Sequence, residues 1–148
     1  MKTFKQYITE ANRLWNYLYG KNKGIFYRGE KKTGRTGVGF GAMGNGIYLT
    51  WDEGMAKAYA SHAGGGATVN KYQVKRGLKI ADVMGKEVIT IKDKLGFGPT
   101  DYSNDASFNN VLTFELKKLK FDGVVSDEVA AGIVIFDNKN VKKIKWKI

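Results

Sequence analysis

The sequence predicts a single α+β domain in which helices flank a sheet core. Short runs rich in β-branched and aromatic residues, such as Gly46 to Thr50 and Ile133 to Phe136, have the length of strands. Segments with apolar residues at three- and four-residue steps sit between and before them, as helices require. No internal repeat and no linker divides the 148 residues, a length that should bury roughly 70% of the unfolded surface.

Residues 1 to 19 read as one amphipathic helix, because Phe4, Tyr7, Ile8, Ala11, Leu14, Trp15 and Leu18 gather on one face, and Gly20 with the Lys21-Asn22-Lys23-Gly24 run ends it. Ile25 to Arg28 is a short strand, and a glycine-rich loop with Gly34, Gly37, Gly39, Gly41 and Gly44 leads to the strand Gly46 to Thr50. Asp52 is placed to cap a helix running through Ser61, which Gly64-Gly65-Gly66 stops. Ala67 to Val74 reads as a strand, and Leu78 to Val83 as another short strand or an extended turn. Residues 84 to 107 carry no clear period; Thr100 to Ser107 reads as a surface loop. Phe108 to Leu119 is a helix, Phe121 to Ser126 and Ile133 to Phe136 are strong strands, and Val141 to Ile148 is a last strand with Lys142, Lys145 and Lys147 outward.

Composition narrows the chemistry. Hydrophobic residues make up 43% and aromatic residues 13%, which describes a globular chain. Without cysteine there is no disulfide, thiolate metal site or cysteine nucleophile, and the single histidine, His62, argues against structural zinc and a histidine-based triad. No apolar run has membrane-spanning length, so no membrane partner is expected. Twenty-five basic against 14 acidic residues give a net charge of +11, a field that attracts polyanions; the densest runs are Lys117-Lys118-Leu119-Lys120 and Lys142 to Lys147.

One constellation suggests a ligand. Arg28 leaves one apolar strand and Tyr48 lies on the next, with glycines between them that would let backbone approach a ligand closely. A guanidinium offers a planar fork of donors to phosphate, and a tyrosine offers a face for stacking. The same residues have plainer uses: Arg28 could pair with a carboxylate at the sheet edge, Tyr48 and Tyr59 could simply pack, and His62 suits a helix C-terminus. The loop does not match the Walker A pattern.

The order of these pieces resembles the ADP-ribosyltransferase-like family, in particular small members from phages and mobile elements. The resemblance rests on Tyr27-Arg28-Gly29, Gly46 to Thr50, Ala56-Lys57-Ala58-Tyr59-Ala60, Phe121-Asp122-Gly123-Val124-Val125, Ile133 to Asp137 and Asn140 to Ile144, and covers roughly residues 24 to 146. It implies a split antiparallel sheet, NAD as substrate, and transfer of ADP-ribose to a host protein or nucleic acid through an oxocarbenium-like transition state. It further implies that Arg28 holds a phosphate or the ribose, that Gly29 lends its backbone to the nicotinamide amide, and that Tyr48 or Tyr59 stacks on the ring. Tyr27 and Thr50 belong to the same cofactor-binding set, and no metal is required. The family's glutamate before the last apolar strand is replaced here by Gly132, with Asp127 and Glu128 four or five residues upstream. Four extended residues span roughly 13 Å, so Glu128 can substitute as the catalytic carboxylate only if its loop folds back. Without that carboxylate, the resemblance implies a binding or virion-associated protein instead.

Residues 1 to 10 also resemble the leader of T4-like phage head proteins, with Ile8-Thr9-Glu10 similar to the site cut by the prohead protease. That likeness implies capsid association and delivery into the host cytoplasm; an ordinary amphipathic helix docked on the domain is the simpler reading.

Overall fold

The computed structural model describes residues 13–30, 43–63, 68–101, 103, 105–126 and 132–144; the side chains of Tyr59, His62 and Ala63 are also outside the description. The expectations for residues 1–12, the glycine-rich loop over 31–42, Gly64 to Gly66, Asp127 and Glu128, and residues 145–148 therefore lie outside the described residues.

The chain forms helix α1 (Arg13–Asn22), strands β1 (Ile25–Glu30) and β2 (Ile47–Thr50), helix α2 (Glu53–Ala63), and strands β3 (Thr68–Val74) and β4 (Ile80–Asp82). Helices α3 (Lys86–Lys94) and α4 (Ala106–Lys118) follow, then β5 (Gly123–Ser126), β6 (Gly132–Ile135) and β7 (Val141–Ile144). The seven strands make one sheet in the order β4-β5-β6-β2-β1-β3-β7. Every neighbouring pair is antiparallel except β4 with β5, which is parallel. The sheet is therefore mixed, not wholly antiparallel, because two helices cross over between β4 and β5 and return the chain in the same direction.

Each sheet face carries its own core. On one face α1 lays Trp15 and Leu18 against Phe26, Leu49, Val74, Ile80, Val125, Ile133 and Ile135. The Trp15 and Phe26 rings stack with centroids 5.4 Å apart, and the Tyr19 hydroxyl donates to the Val74 carbonyl at 3.0 Å. On the other face α3 and α4 bring Val88, Ile91, Phe108, Leu112 and Leu116 onto Ala81, Val124 and Val134. Alternation along the strands produces this division, since successive side chains point to opposite faces.

Two helix ends differ from expectation. Helix α1 ends within the expected Gly20 to Gly24 run but at its far end: Gly20 faces open space, and the helix continues to Asn22 before Lys23 and Gly24 turn left-handed with φ of 53° and 72°. Gly24 suits this turn, because its φ of 72° strains any residue with a side chain and a Cβ would also crowd the Tyr19 ring at 2.8 Å. At α4 the Asp105 carboxylate caps the Ser107 N–H at 2.7 Å, so the helix begins at Ala106, two residues before the expected start.

Helix α3 has no counterpart in the sequence reading. Val88 and Ile91 face the core at helical spacing, but the next inward position is Lys92, which is 0% exposed. Its ammonium donates to the Pro99 carbonyl at 3.2 Å and so ties the turn after α3 back to the helix. Burial pushes the Lys92 pKa below the usual lysine range, with Asp101 opposing the shift. The unfolded chain then holds this proton to higher pH than the folded one, so the lysine's cost to stability shrinks as pH rises from the depressed folded value towards about 10.5. Urea unfolding of the wild type and Lys92→Met should show their stability difference moving in favour of the wild type across that window. A difference that stays constant with pH would contradict the buried charge.

Candidate functional site

Strand β1 joins two unequal ladders. With β3 it pairs along its whole length, from Ile25 opposite Gln73 to Glu30 opposite Thr68. With β2 it pairs only where Tyr27 meets Thr50. The sheet is forked at this place, and Arg28 sits at the mouth of the fork. Its Nη1 reaches the Tyr48 carbonyl of β2 at 3.4 Å, bridging the two strands past their single ladder pair.

The arginine is held by a carboxylate two residues on. Because β-strand side chains alternate, Arg28 and Glu30 project from the same face, as does Phe26. Arg28 Nε donates to Glu30 Oε2 at 2.7 Å, with the side chains only 14% and 5% exposed. The other Glu30 oxygen accepts from Asn70 Nδ2 at 2.9 Å and from the Tyr72 hydroxyl, and Lys143 Nζ lies 3.7 Å away. Strand register supplies these partners, since Asn70 stands opposite Arg28, and Tyr72 opposite both Phe26 and Lys143. Desolvation, then the hydrogen bond to Glu30 and its charge, push the Tyr72 pKa well above the usual phenol range, with Arg28 pulling the other way.

The remaining expected residues fall around the fork. Tyr27 is half-buried and, one residue from Arg28, points to the opposite face. Gly29 is buried under α2, where a Cβ would stand 2.2 Å from the Ala56 carbonyl oxygen and 2.5 Å from the Ala60 nitrogen. Only glycine lets α2 lie this close to β1. Thr50 is 2% exposed, and its Oγ1 accepts from the Asp52 N–H at 3.1 Å. Asp52 in turn caps α2 by accepting from Gly54 at 2.8 Å and Met55 at 3.3 Å, the capping role expected of it. Tyr59 lies on α2 and Glu128 lies outside the described residues. Gly132 opens β6, opposite both Thr50 and Ser126.

Tyr48 does not share a face with Arg28. It pairs with Val134 and packs on the α3–α4 core, whereas Arg28 follows Phe26 on the α1 side. The Tyr48 hydroxyl donates to the Gly44 carbonyl and accepts from the Met43 N–H at 3.2 Å. Asn109 and Thr113 of α4 hold the same segment, accepting from Gly44 and Asn45 N–H groups, each at 2.8 Å. Tyr48 thus fastens the end of the glycine-rich segment to β2, and Asn109 and Thr113 fasten it to α4.

Sequence reasoning missed Glu30, Asn70 and Tyr72. The i, i+2 spacing of Arg28 and Glu30 was an available signal, but the cross-strand partners depend on register. Among the described residues no group of three His, Asp or Glu side chains could hold a metal ion, and no helix is long and apolar enough to cross a membrane. No protein-family model, curated protein or solved structure matches the chain.

Glu30→Ala would leave the Arg28 guanidinium largely buried beside a vacated partner. Removing one member of a buried pair costs about 3–5 kcal/mol, so denaturant unfolding should show a loss of that order. Tyr72→Phe should instead reveal its effect with pH. The folded state retains the Tyr72 proton after the unfolded chain loses it near pH 10, so the stability this hydroxyl contributes is full below that pH and declines above it. The wild-type advantage over Tyr72→Phe should therefore narrow between about pH 10 and 11; an advantage that does not change would contradict the buried hydrogen bond.

Proposed function

We propose that the chain is an ADP-ribosyltransferase-like protein that binds NAD at the fork between β1 and β2 and transfers ADP-ribose to a host protein or nucleic acid. The observation that carries this reading is the placement of Arg28. A guanidinium 14% exposed stands where the β1–β2 ladder lapses to one pair, oriented by Glu30 and bridged to β2. An oriented guanidinium at a break in a sheet is suited to a phosphate or ribose oxygen, because its donor geometry is set before the ligand arrives. Thr50 and Tyr27 flank the same break.

In this proposal Arg28 positions NAD and a carboxylate faces the ribose as positive charge develops when the nicotinamide leaves. Glu128 fills that role in the first form of the proposal. A second reading, NAD binding without turnover, is favoured by a specific observation: Gly132 opens β6 with no side chain, and the buried carboxylate nearest Arg28 is already engaged by Arg28, Asn70 and Tyr72.

Transfer of label from NAD into a bacterial lysate separates the two. Wild-type protein should deposit label on protein or nucleic acid, Arg28→Lys should lower it by at least tenfold because the oriented fork is lost, and Glu128→Gln should abolish it. Absence of transfer together with measurable NAD affinity by calorimetry would select the binding reading. Absence of both, in folded protein, would overturn the proposal.

A further inference from the structure

Away from the fork, the C-terminal end of α4 and the turn before β7 enclose a groove of about 390 Å³. Its lining includes Lys117, Lys120, Lys139, Phe136, Asp122 and Asp137. The two carboxylates are already engaged. Asp122 accepts from the Lys79 N–H at 2.8 Å, and Asp137 accepts from the Lys139 N–H at 3.0 Å and lies 3.4 Å from the Lys139 ammonium. These contacts and the charge of Lys117 hold the Asp137 carboxyl below the usual range, with the Lys139 N–H first among the causes. Lys117 and Lys120 are exposed and have no carboxylate partner among the described residues.

An exposed ring lies on the same helix as Lys117, just outside the lining of the groove. Phe114, one helical turn before Lys117, is 61% exposed, and the Lys118 ammonium lies 5.2 Å from its ring centroid. Some of the positive charge suits the end of a helix, as where Lys79 Nζ donates to the Leu119 carbonyl at 2.9 Å. That use does not account for a large aromatic ring left in solvent on a chain of net charge +11, and Lys139 on the opposite wall, shared with Asp137, adds to the same positive field.

We propose that this groove is a binding site for single-stranded nucleic acid, with Lys117, Lys120 and Lys139 on successive phosphates and Phe114 stacking a base. Lysines spaced along a groove beside an exposed ring are the two elements of sequence-tolerant strand binding: charge follows the backbone and a ring accepts any base. The site does not rest on the transferase reading. If that reading holds, the groove is where a nucleic-acid acceptor would be gripped.

The test is fluorescence anisotropy of a labelled twelve-nucleotide oligo(dT) with the full chain, titrated with salt. Lys117→Gln with Lys120→Asn removes two cations while keeping a helix former at 117 and a residue tolerant of the left-handed backbone at 120, where φ is 70°. This pair should weaken binding at least tenfold and reduce the steepness of the log–log salt dependence by roughly 1.4, the counterion release of two phosphate contacts on a single strand. Phe114→Ala should weaken binding several-fold with the salt dependence unchanged. The control pair Lys57→Gln with Lys86→Gln, exposed lysines elsewhere with the same change in charge, should leave affinity within twofold. No binding by wild-type protein, or an equal loss in the control pair, would overturn the site. Heparin bound as tightly as the oligonucleotide, with no effect of Phe114→Ala on either, would reduce it to general polyanion attraction and overturn the nucleic-acid assignment.

Discussion

The buried Glu30 carboxylate is the interaction on which the fork depends. A carboxylate this far from water is tolerated only where opposite charge and hydrogen bonds replace its hydration. Here the replacement comes from three strands: Arg28 on β1 itself, Asn70 and Tyr72 on β3, and Lys143 on β7. The same carboxylate therefore fixes the arginine's direction and joins β1, β3 and β7 into one half of the sheet. The β1–β2 ladder is short, and the guanidinium spans the remaining gap. Loss of the carboxylate would weaken both the strand assembly and the orientation of the group proposed to receive the ligand.

The opposite side of the fork is held by close packing. α2 presses its backbone onto Gly29, and its start is tied to β2 through Thr50 and Asp52. The glycine-rich segment is anchored at its end by Tyr48, Asn109 and Thr113. Residues on either side of the fork thus have structural work as well as any part in binding. This is why Arg28, rather than Tyr48 or Gly29, carries the functional proposal: it combines partial exposure, charge and a set direction.

Much of the fold was legible because its signals are local. The β-branched runs of β2, β5 and β6 and the Asp52 cap were readable from neighbouring residues alone. The parallel pairing of β4 with β5 was not, since it joins segments separated by two helices. Helix α3 was obscured by Lys92, a charged residue on its inward stripe. For the site, Arg28 stood out by residue type, and its pairing with a carboxylate was among the readings the sequence left open. Glu30 could be identified as that partner only once alternation put both on one face. The assignment of Tyr48 beside Arg28 turned on register: the pairing of Tyr27 with Thr50 sends Arg28 and Tyr48 to opposite faces, and a shift of one residue would have reversed this.

The most direct measurement is an NMR titration of the isotopically labelled chain with NAD, following the Arg28 side-chain Nε–H together with the backbone amides. Binding at the fork predicts a saturable shift of the Arg28 Nε–H and of the amides of Tyr27, Leu49 and Thr50, all with one dissociation constant. No saturable shift at these groups, or shifts confined to Lys117, Phe136 and Lys139, would contradict the fork as the NAD site.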